Sequence, residues 1–154
     1  MSQANAPTRS NAGALAIRRA FEAARGDSRC ALLPFITAGY PDLATTAELL
    51  RALPDAGADA IELGFPFSDP IADGPVIAES MHRALLAGVT PEAIFETVTA
   101  ARPRVPVLAM VSVSIVERMG AERFIARALE SGFSGFIIPD ADPAAAVALA
   151  QLAS

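Results

Sequence analysis

Lysine is absent from this sequence: all twelve basic residues are arginine. Carbon–carbon bond cleavage through a lysine Schiff base is therefore closed to it. Cysteine and histidine occur once each, as Cys30 and His82, which excludes an internal disulfide and leaves no Cys/His cluster for zinc. A reducing, cytoplasmic setting is the expectation. Basic stripes interleaved with aromatics are missing, and the net charge of -5 disfavours a nucleic-acid partner. The N-terminus has no apolar signal core, and no apolar run approaches the roughly 18 residues of a membrane span, so neither export nor a membrane is expected.

Hydrophobic residues, by contrast, make up 53% of the 154, ample for the core of one domain. The polar segment 1–13 has no periodicity and is expected to be mobile, with residues 14–154 forming the domain. From Ala14 to Arg25, Ile17, Phe21 and Ala24 recur at helical spacing. Ala31–Thr37 reads as a buried strand, and Asp42 as the cap of a helix carrying Leu49, Leu50 and Leu53. A second strand, Ala60–Leu63, opens into a loop rich in Gly, Pro, Ser and Asp. Two helices follow, one marked by Ile77, Met81, Ala84 and Leu85 and ended by Gly88, the next started by Thr90-Pro91 with Ile94, Phe95 and Val98 inward. Strand three is expected over Val105–Val113, a helix over Ala121–Ser131, strand four over Gly135–Pro139, and a last helix from Asp142-Pro143.

Strand and helix thus alternate four times. Apolar strands without alternation argue for a parallel sheet covered on both faces, as in a (β/α) barrel or a doubly wound sheet. A complete (β/α)8 barrel takes about 250 residues, so about the first four βα units are expected in this chain. Chemistry on parallel strands sits at their carboxyl ends, where this sequence places Glu62 at the end of strand two and Asp73 in the loop beyond it. Two acids there can form a proton-transfer pair. With neither lysine nor a zinc cluster, acid–base work by carboxylates remains, with Arg, Ser or backbone N–H groups to hold anions.

Each of these residues also has a plainer reading. Glu62 can pair with an arginine or reach solvent, although an acid on a strand buried on both faces is costly without a task. Asp73 can cap the helix that starts near Pro75, and Asp69 can make an Asx turn. His82 reads as a solvent-facing or partly buried side chain without chemistry, and Cys30 as a packing residue. Phe35, Phe65 and Phe67 suit either the core or the wall of an aromatic pocket.

Four stretches, P-F-I-T-A-G-Y-P-D, A-G-A-D-A-I-E-L-G, P-F-S-D-P-I-A-D-G-P and R-A-L-L-A-G-V-T-P, resemble the tryptophan synthase alpha subunit family. The resemblance covers nearly the whole chain from about Ala14 and marks it as the N-terminal half of such a subunit. It implies a TIM-barrel fold, a lyase that cleaves indole-3-glycerol phosphate to indole and glyceraldehyde 3-phosphate in tryptophan biosynthesis, and a beta-subunit partner in an alpha2-beta2 assembly. No cofactor is implied for this chain, since pyridoxal phosphate belongs to the beta subunit. By the motif match, Glu62 is similar to the family's general acid–base residue and Asp73 to the acid that holds the indole N–H. Phe35 matches a position lining the indole pocket. Pro66, Phe67, Ser68 and Asp69 match the loop that faces the beta subunit.

The chain departs from the family just past strand three, where Ser112 and Ser114 stand in place of a usual Tyr and Asn, so Ser112 becomes the candidate substrate contact on that edge. After strand four, Asp140-Ala141-Asp142 replaces Asp, apolar, Pro. The family's phosphate-holding loops lie beyond Ser154. Three alternatives to the lyase stay open: a non-catalytic regulatory partner of the beta subunit, another phosphate-handling barrel enzyme, and an inactive fragment.

Overall fold

The computed structural model describes residues 9–69 and 73–153. Helix α1 (Arg9–Gly26) is followed by β1 (Phe35–Thr37), α2 (Leu43–Ala52), β2 (Ile61–Gly64), α3 (Pro75–Leu86) and α4 (Pro91–Ala101). Then come β3 (Val107–Met110), α5 (Val113–Met119), α6 (Ala121–Ser131), β4 (Gly135–Ile137) and α7 (Pro143–Leu152). The strands form one parallel sheet in the order β1-β2-β3-β4, the arrangement of consecutive βα units in a (β/α)8 barrel.

Register decides what each face of the sheet carries. Phe35, Glu62, Leu108 and Gly135 lie side by side on one face, with Thr37, Gly64, Met110 and Ile137 one step further along it. Ile61, Leu63, Val107 and Ala109 point the other way and are fully buried against the helices α2, α4 and α6. Only that face is covered throughout. On the opposite face α3 meets β1 and α1 meets β4, and Glu62, Leu108 and Met110 are half-buried. The expectation of a sheet buried on both faces is thus corrected: the strands alternate between a sealed and a half-open side.

Local chemistry accounts for the element boundaries. Asp42 caps α2 by accepting the Thr45 N–H at 2.7 Å, and Thr90 caps α4 with Pro91 in its first turn. Helix α1 starts at Arg9 rather than Ala14, and it packs closely: a Cβ at Gly13 would stand 2.4 Å from the Ser134 carbonyl oxygen. The part of the expected mobile segment over residues 1–8 lies outside the described residues. Phe21, on the apolar stripe of α1, is 45% exposed, and Cys30, expected to pack, is exposed in the loop before β1.

Strand three is shorter than the sequence suggests. It ends at Met110, and Val113 begins α5, with Ser112 as its cap accepting the Ser114 N–H. At the other end of the sheet, Arg29 donates to both carboxylate oxygens of Asp59 at 2.7 Å, and the Leu32 N–H donates to the same group at 2.8 Å. This clamp joins the approaches to β1 and β2.

Hydrogen bonds from the Arg29 guanidinium, then from the Leu32 amide, lower the Asp59 pKa from 3.8 to about 2. A group whose folded pKa lies below its unfolded value binds fewer protons when folded. Its stabilisation is complete above pH 3.8 and disappears as the pH falls towards about 2. We expect the urea midpoint to fall across that window, and Asp59→Asn to flatten the fall. An unchanged pH profile in the variant would show that the clamp contributes nothing.

Candidate active site

Glu62 sits in the middle of β2, on the half-open face, between Phe35 of β1 and Leu108 of β3. Its carboxylate has no hydrogen bond or ion pair to any described residue, so it is available to a group entering from that side. The Phe35 ring lies across the backbone of Gly64. A Cβ there would come within 2.4 Å of the ring, so this approach requires glycine. An aromatic surface and a half-buried acid are thereby placed side by side.

A cavity of about 430 Å³ opens beyond the carboxyl ends of β2, β3 and β4. Phe65, Phe67, Met81, Met110, Val111 and Pro139 supply apolar walls, and Asp69, Asp73, Ser112 and Asp140 supply polar groups. An apolar hollow with a few convergent polar groups is the usual form of a small-molecule site. Asp73 does not cap α3: the cap is Gly74, which has no side chain to offer, and Asp73 is exposed without a partner among the described residues. Helix α3, which follows directly, is pinned to the end of β1 by the buried Thr37 and Ser80 hydroxyls, 2.7 Å apart.

The cavity therefore unites Asp73, Asp69, Phe67 and Ser112, while Glu62 and Phe35 stand deeper on the sheet and outside its lining. Met110 joins the two regions, since it lines the cavity and lies one step beyond Leu108 on the Glu62 face. The loop Pro66–Asp69 divides. Pro66 is buried and borders a second cavity of about 430 Å³ with Ile115, Arg118 and Met119, Phe67 turns into the first cavity, and Ser68 is exposed.

Asp140 is the residue that sequence reasoning missed. Its Oδ2 accepts from the Ser112 hydroxyl at 2.7 Å and its Oδ1 from the Val113 N–H at 2.9 Å. Burial pushes its pKa up, but the Ser112 and Val113 hydrogen bonds more than offset this and hold the carboxyl below its ordinary value. The neighbouring Asp142 is spent on capping α7, accepting the Ala144 and Ala145 N–H groups at 2.8 and 2.9 Å. Of the two acids in Asp140-Ala141-Asp142, one builds a helix and the other lines the cavity. The signals in the sequence are that a single cap needs a single aspartate and that Asp140 stands where the resembled family also has Asp.

The chain is similar to known proteins in sequence and in fold. A family model described as tryptophan synthase alpha chain matches residues 21–154. The tryptophan synthase alpha chain of Burkholderia mallei (strain NCTC 10229) is 48% identical over 130 residues, covering 82% of this chain and 48% of that protein. The one from Dechloromonas aromatica (strain RCB) is 47% identical over 135 residues, covering 86% and 50%. The crystal structure of tryptophan synthase subunit alpha from Legionella pneumophila str. Paris superposes with a TM-score of 0.84 at 34% identity, covering 89% of this chain and 53% of that one. The chain spans about half the length of the curated relatives it matches. With the family model matching residues 21–154 and the superposition covering 89% of it, the chain belongs to the tryptophan synthase alpha chain family.

Proposed function

We propose that this chain supplies the acid–base groups of a lyase that cleaves indole-3-glycerol phosphate to indole and glyceraldehyde 3-phosphate. The observation that carries the reading is Glu62: a half-buried carboxylate beside the Phe35 ring, without a partner among the described residues, on the half-open face of a parallel sheet. The reaction is a retro-aldol cleavage. Glu62 in its acid form gives a proton to C3 of the indole ring, which turns the ring into an electron acceptor. As the bond between C3 and the side chain breaks, its electron pair returns to the ring and the adjacent side-chain hydroxyl loses its proton to the Glu62 carboxylate. Indole and an aldehyde result. Positive charge develops near the ring nitrogen on the way, and the Asp73 carboxylate, in an apolar cavity, stabilises it as it forms.

Such a cycle returns its proton and uses no lysine, metal or cofactor, in keeping with a chain whose basic residues are all arginine. Pyridoxal phosphate would belong to a beta subunit, and the Pro66–Asp69 loop is the proposed face towards that partner in an alpha2-beta2 assembly. Among the described residues no helix is long and apolar enough to cross a membrane; we propose a cytoplasmic setting. The test is to incubate the native protein, isolated from its own cells with whatever chains accompany it, with indole-3-glycerol phosphate. Equimolar indole and glyceraldehyde 3-phosphate are expected. Intact substrate after prolonged incubation would overturn the reading.

A further inference from the structure

The proposed reaction leaves Asp140 without a task, although it is the best-oriented acid in the cavity. Ser112 is 8% exposed, its Oγ accepts the Ser114 N–H at 3.3 Å, and it lies 2.9 Å from the Ser114 Oγ. The Ser112 proton is thereby directed at Asp140, whose other oxygen is held by a backbone amide. A carboxylate has about four lone-pair directions and no proton to give. Two are occupied by the chain itself, and those that remain form a fixed acceptor on the cavity rim. Asp69 and Asp73 have no such partners among the described residues.

Strand order decides where this acceptor stands. β3 lies between β2 and β4, so the loop that carries Asp73 and the segment that carries Asp140 flank it on opposite sides. Met110, Val111 and Ser112 form the floor between them. A flat ring whose N–H is taken by Asp73 would extend across β3 towards Asp140. A bare hydrocarbon edge would meet that carboxylate and strip water from it with nothing in return, whereas a donor on the edge would be rewarded.

We propose that Asp140, oriented by Ser112, is a specificity-determining acceptor that selects indole-type rings bearing a second hydrogen-bond donor, such as a hydroxyl, on the edge opposite the N–H. The inference rests on the proposed function, in which the cavity holds an indole ring with Asp73 on its nitrogen. It concerns which ring is held best, and indole serves as its internal reference.

The experiment is a calorimetric titration of the native full-length protein with indole and, separately, with each benzo-ring hydroxyindole. At least one hydroxyindole is expected to bind about fivefold more tightly than indole, the yield of one ordinary hydrogen bond. In Asp140→Asn the ratio of the two affinities should fall to within about twofold of unity, since a net acceptor becomes a mixed donor and acceptor. Ser112→Ala keeps the carboxylate but releases it, and should lower the ratio part of the way even where Asp140→Asn does not fold. Equal affinities in the unaltered protein, or a preference undiminished by either substitution, would overturn the assignment. Failure of indole and all hydroxyindoles to bind would instead overturn the aromatic reading of the cavity, and this inference with it.

Discussion

Glu62→Gln in the native protein is expected to slow indole release by about 10²- to 10⁴-fold, the usual worth of a positioned general acid–base group. The change removes a titrating proton and little else. Gln has nearly the same shape, and the carboxylate it replaces holds no described neighbour, so the folded state should shift by no more than about 0.5 kcal/mol. The loss should fall on kcat, because Glu62 acts in the step that protonates C3 and not in holding the ring. Asp73→Asn offers a contrast. It keeps an acceptor near the ring nitrogen but removes the negative charge that offsets the developing cation, at an expected cost of about 10²- to 10³-fold. Steady-state assays with indole-3-glycerol phosphate, alongside urea melts of the same preparations, separate chemistry from folding. If Glu62→Gln retained a tenth or more of the rate, the proton would have to come from elsewhere.

The largest effect on stability should come from Phe95→Ala. Phe95 is fully buried on α4, with ring centroids 5.7 Å from Phe65, 5.4 Å from Phe124 and 6.2 Å from Phe133, and with the Arg127 guanidinium 5.9 Å above its face. Truncation removes the transfer energy of the ring, its edge-to-face contacts and the packing around it, together about 3–5 kcal/mol. A natural domain has roughly 5–15 kcal/mol in all. Phe65, which touches Phe95 on the helix side and lines the cavity on the other, connects this cluster to the site. Urea unfolding of the native protein should show the midpoint falling with its slope unchanged. A loss below about 1 kcal/mol would mean that the other three rings repack without it.

The sequence carried the helices better than the strands, and for a physical reason. Ala121–Ser131 could be bounded to the residue because its apolar positions recur at helical spacing and a glycine follows it. Asp42 and Thr90 announced α2 and α4 because a cap is a local interaction between near neighbours in the chain. V-S-V-S, from Val111, has the apolar–polar period of a strand, so the sequence does not announce that β3 ends at Met110 and that Ser112 caps α5. The half-open face was hidden for a different reason. Whether helices cover one side of a sheet or both depends on where distant segments pack, and Leu108 and Leu63 look alike in one dimension. Glu62 and Asp73 stood out as acids in an apolar strand and its loop. Their assignment to two neighbouring regions, one on the sheet and one beyond its end, needed the register. Asp140 was obscured because an aspartate beside Asp142-Pro143 looks like part of a turn, while its bond to Ser112 spans 28 residues.

The contact between Phe35 and Gly64 also bears on how this protein can vary. The orientation of an aromatic surface on one strand is set by the lack of a side chain on the next, so a determinant of ligand shape resides in an atom that is not there. Drift at position 64 would remodel the reception of a ring without altering any residue that meets it. Two members of such a lineage could keep identical contact residues and still prefer different ligands, and comparison of those contact residues alone would find no reason for it.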